Sequence, residues 1–242
     1  QLKSIAVIGP NADNMYNQLG DYTAPQERKE ITTVLDGIRN TVSASTQVTY
    51  VKGCAIRDTT AHHIPAAVEA AQKADAVVLV VGGSSARDFK TKYIETGAAT
   101  VTQEENQQLS DMECGEGYDR STLKLLGYQE KLMEAITSTG KPVIVIYIQG
   151  RPLNMNLAAE KAQALLTAWY PGEQGGAAIA DVLFGDYNPA GRLPVTFYKA
   201  TEQLPDFEDY SMQGRTYRYF EGEALFPFGY GLSYTSFEIG KA

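Results

Sequence analysis

The chain has 242 residues, of which 43% are hydrophobic and 21% charged, a composition typical of a soluble globular protein. Its net charge of −8 and pI near 4.9 argue against nucleic-acid and anionic-membrane partners, because both require a basic surface. No apolar run approaches the roughly 18–20 residues that span a bilayer, and the N-terminus lacks a signal-peptide pattern. The first predicted strand begins almost at residue 1, so we expect the parent protein to extend further upstream.

Short apolar runs alternate with amphipathic stretches along the chain. The runs are nearly continuous and rich in β-branched residues, which is typical of strands buried on both faces of a parallel sheet. In chain order, strands are predicted at 5–8, 47–51, 77–81, 143–148 and 164–168, and helices at 33–42, 64–74, 128–139 and 173–184. This alternation predicts one domain over 1–242: a three-layer α/β/α sandwich with a mostly parallel sheet of about six strands.

Three segments depart from the alternation. Residues 189–204 and 205–242 form an irregular tail rich in Tyr, Gly and Pro, whose tyrosines we interpret as a domain-interface or strand surface. Residues 82–120 follow the third predicted strand and are too many for an idle loop in a compact domain. Since open α/β folds bind ligands at the carboxyl ends of their strands, 82–120 is where a site is expected.

An acidic stretch inside this long connection is the candidate for chemistry. Residues 111–120 carry four carboxylates and one arginine, and two glycines flank Glu116 and allow unusual backbone angles there. A carboxyl group that donates a proton needs a raised pKa, which burial or the neighbouring carboxylates Glu113 and Asp119 would provide. Arg120 can pair with Asp119 and hold the loop. The alternative is a solvated acidic turn with a surface salt bridge.

A second polar run, Gly-Gly-Ser-Ser-Ala-Arg-Asp at 82–88, also follows a predicted strand. It matches neither the dinucleotide-binding pattern nor a P-loop, so a nucleotide cofactor is not expected. Ser84, Arg87 and Asp88 would either bind substrate through hydrogen bonds or brace the long loop.

The metal-binding residue types are few. His62 and His63 are adjacent and no third ligand stands at metal spacing, so we expect no metal site. Cys54 and Cys114 either form a disulfide or remain separate buried thiols, and the sequence leaves both possibilities open.

Six stretches resemble, in order and over almost the whole chain, the C-terminal domain of glycoside hydrolase family 3. They are IAVIGPNA at 5–12, GEGYDR at 115–120, GKPV with GRPL at 140–153, AWYPGEQGG at 168–176, NPAGRLP at 188–194, and RTYRY with FPFGYGLSY at 215–234. No single stretch is decisive, but the set is specific.

The resemblance implies a role for the chain in a larger enzyme. It assigns the general acid/base to Glu116, with Glu113 as the runner-up, and the nucleophile to an aspartate on a preceding (β/α)8 barrel. The implied reaction is retaining hydrolysis of terminal β-D-glycosidic bonds in oligosaccharides or aryl β-glycosides, without a cofactor. Xylosides are the first expectation, with arabinofuranosidase side activity, and glucosides the second.

The resemblance also implies a context for the domain. The barrel would be its partner, and the parent enzyme would be periplasmic or extracellular. A fibronectin III-like domain usually follows in this family, and a member that lacks it is the alternative. Alone, the domain would be inactive. Two other interpretations remain: a non-catalytic scaffold or glycan-binding module of the same fold, and a stand-alone nucleotide-binding α/β protein.

Overall fold

A computed structural model describes residues 2–24, 27–85, 112–115, 119–236, 238 and 240. Its strands are β1 (Ser4–Ile8), β2 (Gln47–Val51), β3 (Ala76–Gly82), β4 (Val143–Ile148) and β5 (Ala164–Trp169). Its α-helices are α1 (Met15–Leu19), α2 (Val34–Thr41), α3 (Ile64–Lys73), α4 (Gln129–Thr137), α5 (Asn156–Lys161), α6 (Gly175–Phe184) and α7 (Thr216–Tyr219). Short 3-10 turns occur at Arg28–Glu30 and Thr201–Gln203. None of the described helices is long and apolar enough to cross a membrane.

The five strands form one parallel sheet in the order β2-β1-β3-β4-β5. The chain moves outward from β1 to β2 and then returns across β1 to build β3, β4 and β5. The strand order therefore reverses between β1 and β3, and open sheets of this kind bind ligands beyond the carboxyl ends of the strands at such a point. The predicted fold class is confirmed, but the described residues contain five strands where about six were expected.

The two faces of the sheet carry separate apolar cores. Side chains alternate along β3, so Val77, Leu79 and Val81 face α3, α4 and α5. Val78 and Val80 face α2 and α6 on the other side. Every residue of β3 is buried, which explains its unbroken apolar sequence and confirms the three-layer arrangement.

The predicted helices begin and end for identifiable reasons. Thr33 and Asp36 form a capping box at the start of α2, in which each side chain accepts a hydrogen bond from the other residue's backbone N–H. Helix α4 stops before Gly140, which has a φ of +74°. Helices α1, α5 and α7 were not predicted, because elements of four to six residues are too short to show a helical period.

The irregular tail folds back over the end of β5. Phe197 pairs with Phe226 in an isolated antiparallel bridge, and its ring lies edge-on to Trp169 at 6.0 Å between centroids. Leu193 and Tyr230 are joined by a backbone hydrogen bond of 2.9 Å. The tail is thus anchored by aromatic packing, while most of its tyrosines remain exposed.

Helices α2 and α6 contact each other through the backbone at glycine positions. A side chain added at such a glycine should therefore destabilise the fold. A Cβ on Gly176 would lie 1.9 Å from the carbonyl oxygen of Thr33, and one on Gly37 would lie 2.0 Å from that of Gly176. Gly176→Ala should therefore lower the free energy of unfolding by about 1–3 kcal/mol or more, since backbone must move to admit the methyl group. Urea unfolding, followed by the fluorescence of the chain's single tryptophan, measures this change.

Gly191→Ala is the matched control, because nothing lies within 4 Å of a Cβ added there. An equal loss of stability in both variants would contradict the close contact between the helices.

Candidate functional site

The predicted site residues divide between described and undescribed parts of the chain. Ser84, Glu113, Asp119 and Arg120 are described, whereas Glu116, Arg87 and Asp88 lie outside the described residues. Residues 112–115 and 119–124, on either side of Glu116 in sequence, are described.

Buried amides join the strand ends at the point where the strand order reverses. Asn11 follows β1, and its side chain donates to the carbonyl oxygen of Gly83 after β3 at 3.2 Å. The Asn17 side chain donates to Asn11 at 2.7 Å and accepts from the Ser84 hydroxyl at 2.6 Å. Asn11, Asn17 and Ser84 are each at most 1% exposed. The Ser84 side chain therefore braces β1 against β3.

A further buried amide closes the end of β3. The Gln129 side chain accepts from the N–H of Gly82 and donates to its carbonyl oxygen, both at 2.9 Å, and donates to the carbonyl oxygen of Ile56 at 3.2 Å. Asn11, Asn17 and Gln129 were missed by the sequence analysis, because an asparagine or glutamine carries no pattern that distinguishes a buried bracket from a surface residue. Of the three, only Asn11 lies in a stretch that the sequence analysis singled out, the IAVIGPNA stretch of the family resemblance.

The segment 112–115 is anchored directly beside β3. The N–H groups of Glu113 and Cys114 both donate to the carbonyl oxygen of Ser84, at 2.8 and 3.3 Å. The guanidinium of Arg57 donates to the carbonyl oxygen of Met112 at 2.7 Å. Residues 112–114 thus lie at the carboxyl edge of the sheet.

Glu113 and Arg120 form a buried ion pair. Nη1 of Arg120 donates to Oε2 of Glu113, and Nη2 donates to the carbonyl oxygen of Lys124. The side chains of Arg120 and Glu113 are 5% and 1% exposed. The sequence analysis had offered Asp119 as the partner of Arg120, but Asp119 lies at the exposed surface while Glu113 points inward. The ion-pair partner of Arg120 is therefore decided by the fold, which buries Glu113 seven positions away, and not by nearness in sequence.

The other oxygen of Glu113 is also occupied. Sγ of Cys114 donates to Oε1 at 3.2 Å, and a Cβ added to Gly83 would lie 2.2 Å from the same oxygen. Burial and the adjacent Glu113 carboxylate raise the pKa of Cys114 to about 11. Burial likewise raises the pKa of Tyr170, whose hydroxyl lies 3.8 Å from Cys114 Sγ. This corner of the site therefore keeps its thiol and phenol protonated at neutral pH.

An open cleft of about 490 Å³ lies beside the point where the chain returns from Glu116. It combines aromatic rings, hydroxyls and charged groups, which suits a polyhydroxylated ligand. Its lining comes from 119–123 and from the tail: Asp119, Arg120, Ser121, Thr122, Leu123, Thr201, Leu204, Pro205, Phe207, Asp209, Tyr210 and Arg215. The tail residues were not predicted as site residues, because their proximity to 119–123 arises only in the folded chain.

The described residues offer no metal centre. His62 and His63 lie at the surface before α3, and no three His, Cys, Asp or Glu side chains in the described part of the chain converge as ligands. Cys54 and Cys114 are both buried and do not form a disulfide with one another.

The raised pKa of Cys114 predicts its reactivity with alkylating reagents. In a Cys54→Ala variant, where Cys114 is the single thiol, the rate of iodoacetamide modification should rise with a midpoint near pH 11, against the ordinary value of 9.0. The unfolded chain ionises this thiol from about pH 9, so the stability that the protonated thiol contributes is present below pH 9 and is lost as pH rises toward 11. A midpoint at pH 9 in the folded protein would contradict the burial of the thiol beside Glu113.

Comparison with known proteins gives a consistent set of relatives. A family model described as the glycosyl hydrolase family 3 C-terminal domain matches residues 1–234. A beta-xylosidase of Formosa agariphila is 40% identical over 251 residues, covering 99% of this chain and 31% of its own length. A xylan 1,4-beta-xylosidase of Xylanibacter ruminicola is 50% identical over 151 residues, 62% of this chain and 17% of its own length. A periplasmic beta-glucosidase of Salmonella typhimurium is 33% identical over 268 residues, 98% of this chain and 32% of its own length.

Solved structures give the same picture of the fold. A GH3 exo-beta-xylosidase in complex with a xylobiose aziridine probe superposes with a TM-score of 0.76 at 27% identity, over 98% of this chain and 28% of that one. A beta-glucosidase from Erythrobacter marinus superposes with a TM-score of 0.70 at 32% identity, over 97% of this chain and 31% of that one. The chain thus spans about a third or less of the length of the proteins it matches.

Proposed function

The chain belongs to glycoside hydrolase family 3 as its C-terminal domain, and from this membership we propose that it supplies the general acid/base carboxylate, Glu116, to an active site shared with the rest of a larger enzyme. The parent enzyme is proposed to be a retaining exo-β-glycosidase. In this proposal the isolated domain is inactive, because the nucleophile belongs to the N-terminal (β/α)8 barrel that its resemblance implies.

The observation that carries this proposal is the anchoring of the chain on both sides of Glu116. The hydrogen bonds from Glu113 and Cys114 to Ser84 attach one side to the end of β3, and the Arg120 ion pair to Glu113 attaches the other. Both attachments lie at the carboxyl edge of the sheet, where open α/β folds bind their ligands. Anchoring of the chain on both sides supports an acid role for Glu116, since acid catalysis requires a defined distance to the leaving oxygen.

The geometry favours Glu116 over Glu113 as the acid. A general acid must bring an oxygen within hydrogen-bond distance of the leaving group. Glu113 is buried, and its two oxygens are held by Arg120 and Cys114, so neither faces a ligand. Asp119 is exposed and lines the open cleft, which we propose as part of the substrate pocket.

The proposed reaction uses one carboxyl group twice. In the first step the acid form of Glu116 protonates the departing glycosidic oxygen while the barrel aspartate attacks the anomeric carbon and forms a glycosyl-enzyme. In the second step the Glu116 carboxylate removes a proton from water, whose oxygen then displaces the aspartate and releases the sugar with its β-configuration retained.

We propose β-D-xylosides as the first substrate class and β-D-glucosides as the second. The support is the set of relatives: two bacterial xylosidases, several plant proteins named as beta-xylosidases, and a periplasmic beta-glucosidase. Two Medicago relatives are named for both beta-xylosidase and alpha-L-arabinofuranosidase activity, which supports an arabinofuranosidase side activity. We also propose a periplasmic or extracellular location, as the name of the Salmonella relative suggests.

The decisive experiment replaces Glu116 by glutamine in the full-length parent enzyme. We expect kcat/KM for an aryl β-xyloside with a poor leaving group to fall by about 10²–10⁴-fold, since that leaving group needs a proton. For an aryl β-xyloside with a good leaving group, kcat/KM should fall far less. Added azide should restore kcat on the good leaving group, because this anion attacks the glycosyl-enzyme without base catalysis.

Glu134→Gln on the exposed side of α4 is the matched control and should leave both values near those of the unmodified enzyme. If Glu116→Gln reduces neither substrate's kcat/KM, Glu116 is not the acid; Glu113 or a barrel residue then becomes the candidate, with a non-catalytic scaffold or glycan-binding module as the alternative.

A further inference from the structure

We infer that the buried ion pair between Glu113 and Arg120 is a side-chain staple that positions Glu116 for proton transfer. Arg120 borders the open cleft, but its guanidinium is held by Glu113 and by the carbonyl oxygen of Lys124, and Glu113 itself is buried, so we assign both as positioning residues that act through the chain between them. The inference rests on the proposed role of Glu116 as the acid/base.

The staple closes a short stretch of chain. Glu113 and Arg120 stand on either side of the six residues 114–119, and their side chains meet directly. The second guanidinium nitrogen of Arg120 donates to the carbonyl oxygen of Lys124, which ties the pair to the chain that follows. The described residues on either side of Glu116 are therefore joined to each other directly by side chains.

The carboxylate end of the staple is fixed from several sides. The backbone N–H of Glu113 is held by Ser84, and its two side-chain oxygens are held by Arg120 and Cys114. Gly83 leaves space that a Cβ would fill, since such an atom would lie 2.2 Å from Oε1. The end of β3 is thus shaped to admit the carboxylate in one position.

Burial disfavours partial opening of the ion pair. The Glu113 and Arg120 side chains are 1% and 5% exposed, so almost no water can solvate either charge if the two side chains separate. Separating them is therefore unfavourable. The planar guanidinium has a fixed fork, which reaches Glu113 and the carbonyl oxygen of Lys124 together and so holds Arg120 relative to both. An exposed pair such as Arg28 with Asp36 lacks this constraint, because water competes for both groups.

The test uses the full-length parent enzyme and the same two aryl β-xylosides. Arg120→Met should lower kcat/KM by about 10²-fold on the poor leaving group, the size of loss expected from misplacing a catalytic group by about 1 Å. The loss on the good leaving group should be at least about tenfold smaller. Arg120→Lys keeps the charge but not the fork, so it should recover part of the activity on the poor leaving group. Arg28→Met is the control for losing an arginine ion pair and should change neither substrate's value.

Coupling to Glu116 separates positioning from a general structural effect. In the Glu116→Gln background, Arg120→Met should cause little further loss on the poor leaving group, since its effect passes through the missing acid. If the two losses multiply, the pair acts independently of Glu116 and the inference is wrong. If Glu116→Gln itself shows no dependence on the leaving group, the proposed function fails instead, whatever Arg120→Met does.

A neutral double variant guards against misfolding of the single ones. Glu113→Gln with Arg120→Met leaves no unpaired buried charge, so it should fold even where a single replacement fails because one buried charge has lost its partner. This variant should still lose activity selectively on the poor leaving group. A folded double variant with unchanged kcat/KM on both substrates would refute the staple.

Discussion

Close crossings of backbone at two glycines set the geometry of the carboxyl edge of the sheet. As the chain leaves β1, Gly9 adopts a φ of +120°, and a Cβ there would lie 2.0 Å from the carbonyl oxygen of Val80 in β3. Gly82 repeats the arrangement at the end of β3, with a φ of +133° and the same 2.0 Å approach to Ile148 in β4. Only a residue without a Cβ permits this path, so both loops leave the sheet across the neighbouring strand.

The two crossings bring polar groups into a region that excludes water. The loop after β1 delivers Asn11, and the loop after β3 delivers Ser84, which lie on opposite sides of the point where the strand order reverses. Buried amides and hydroxyls are costly unless they are hydrogen-bonded, and here Asn17 connects the two. The same requirement explains Gln129, which binds both the N–H and the carbonyl oxygen of Gly82. The Asn17 and Gln129 side chains thus provide hydrogen bonds to polar groups that the two backbone crossings bury.

Much of this fold was predictable from sequence, because strands that are buried on both faces have nearly continuous apolar sequences. The run Ala76–Gly82 is wholly buried and wholly apolar or glycine, and all five predicted strands match observed ones to within two residues at either end. The reversal of strand order was not predictable, since a parallel strand can add at either edge of a growing sheet. The partner of Arg120 was missed for a related reason: the sequence places Asp119 nearest, whereas burial selects Glu113.

The candidate site was predictable only through its loop and its resemblance. Two glycines around Glu116 and the surrounding carboxylates marked 111–120, but the sequence could not distinguish which carboxylate is buried. The tail contributes residues 201–215 to the cleft, and the backbone N–H of Leu123 donates to the Thr201 hydroxyl at 3.0 Å across 78 positions of the chain. Pairings of that range carry no local pattern, and so periodicity does not reveal them.

The buried Glu113–Arg120 ion pair bears on where the nucleophile of the proposed reaction resides. Retaining hydrolysis needs two carboxyl groups about 5–5.5 Å apart, one of them free to attack the sugar. Among the residues that the structure describes, Glu113 is the one carboxylate in the interior, and Arg120 and Cys114 occupy both its oxygens. Freeing Glu113 to attack would leave the Arg120 guanidinium buried without its partner, which is strongly unfavourable. If Glu116 is the acid, the nucleophile must therefore come from outside this ion pair, and a separate domain of the parent enzyme can supply it without disturbing the staple.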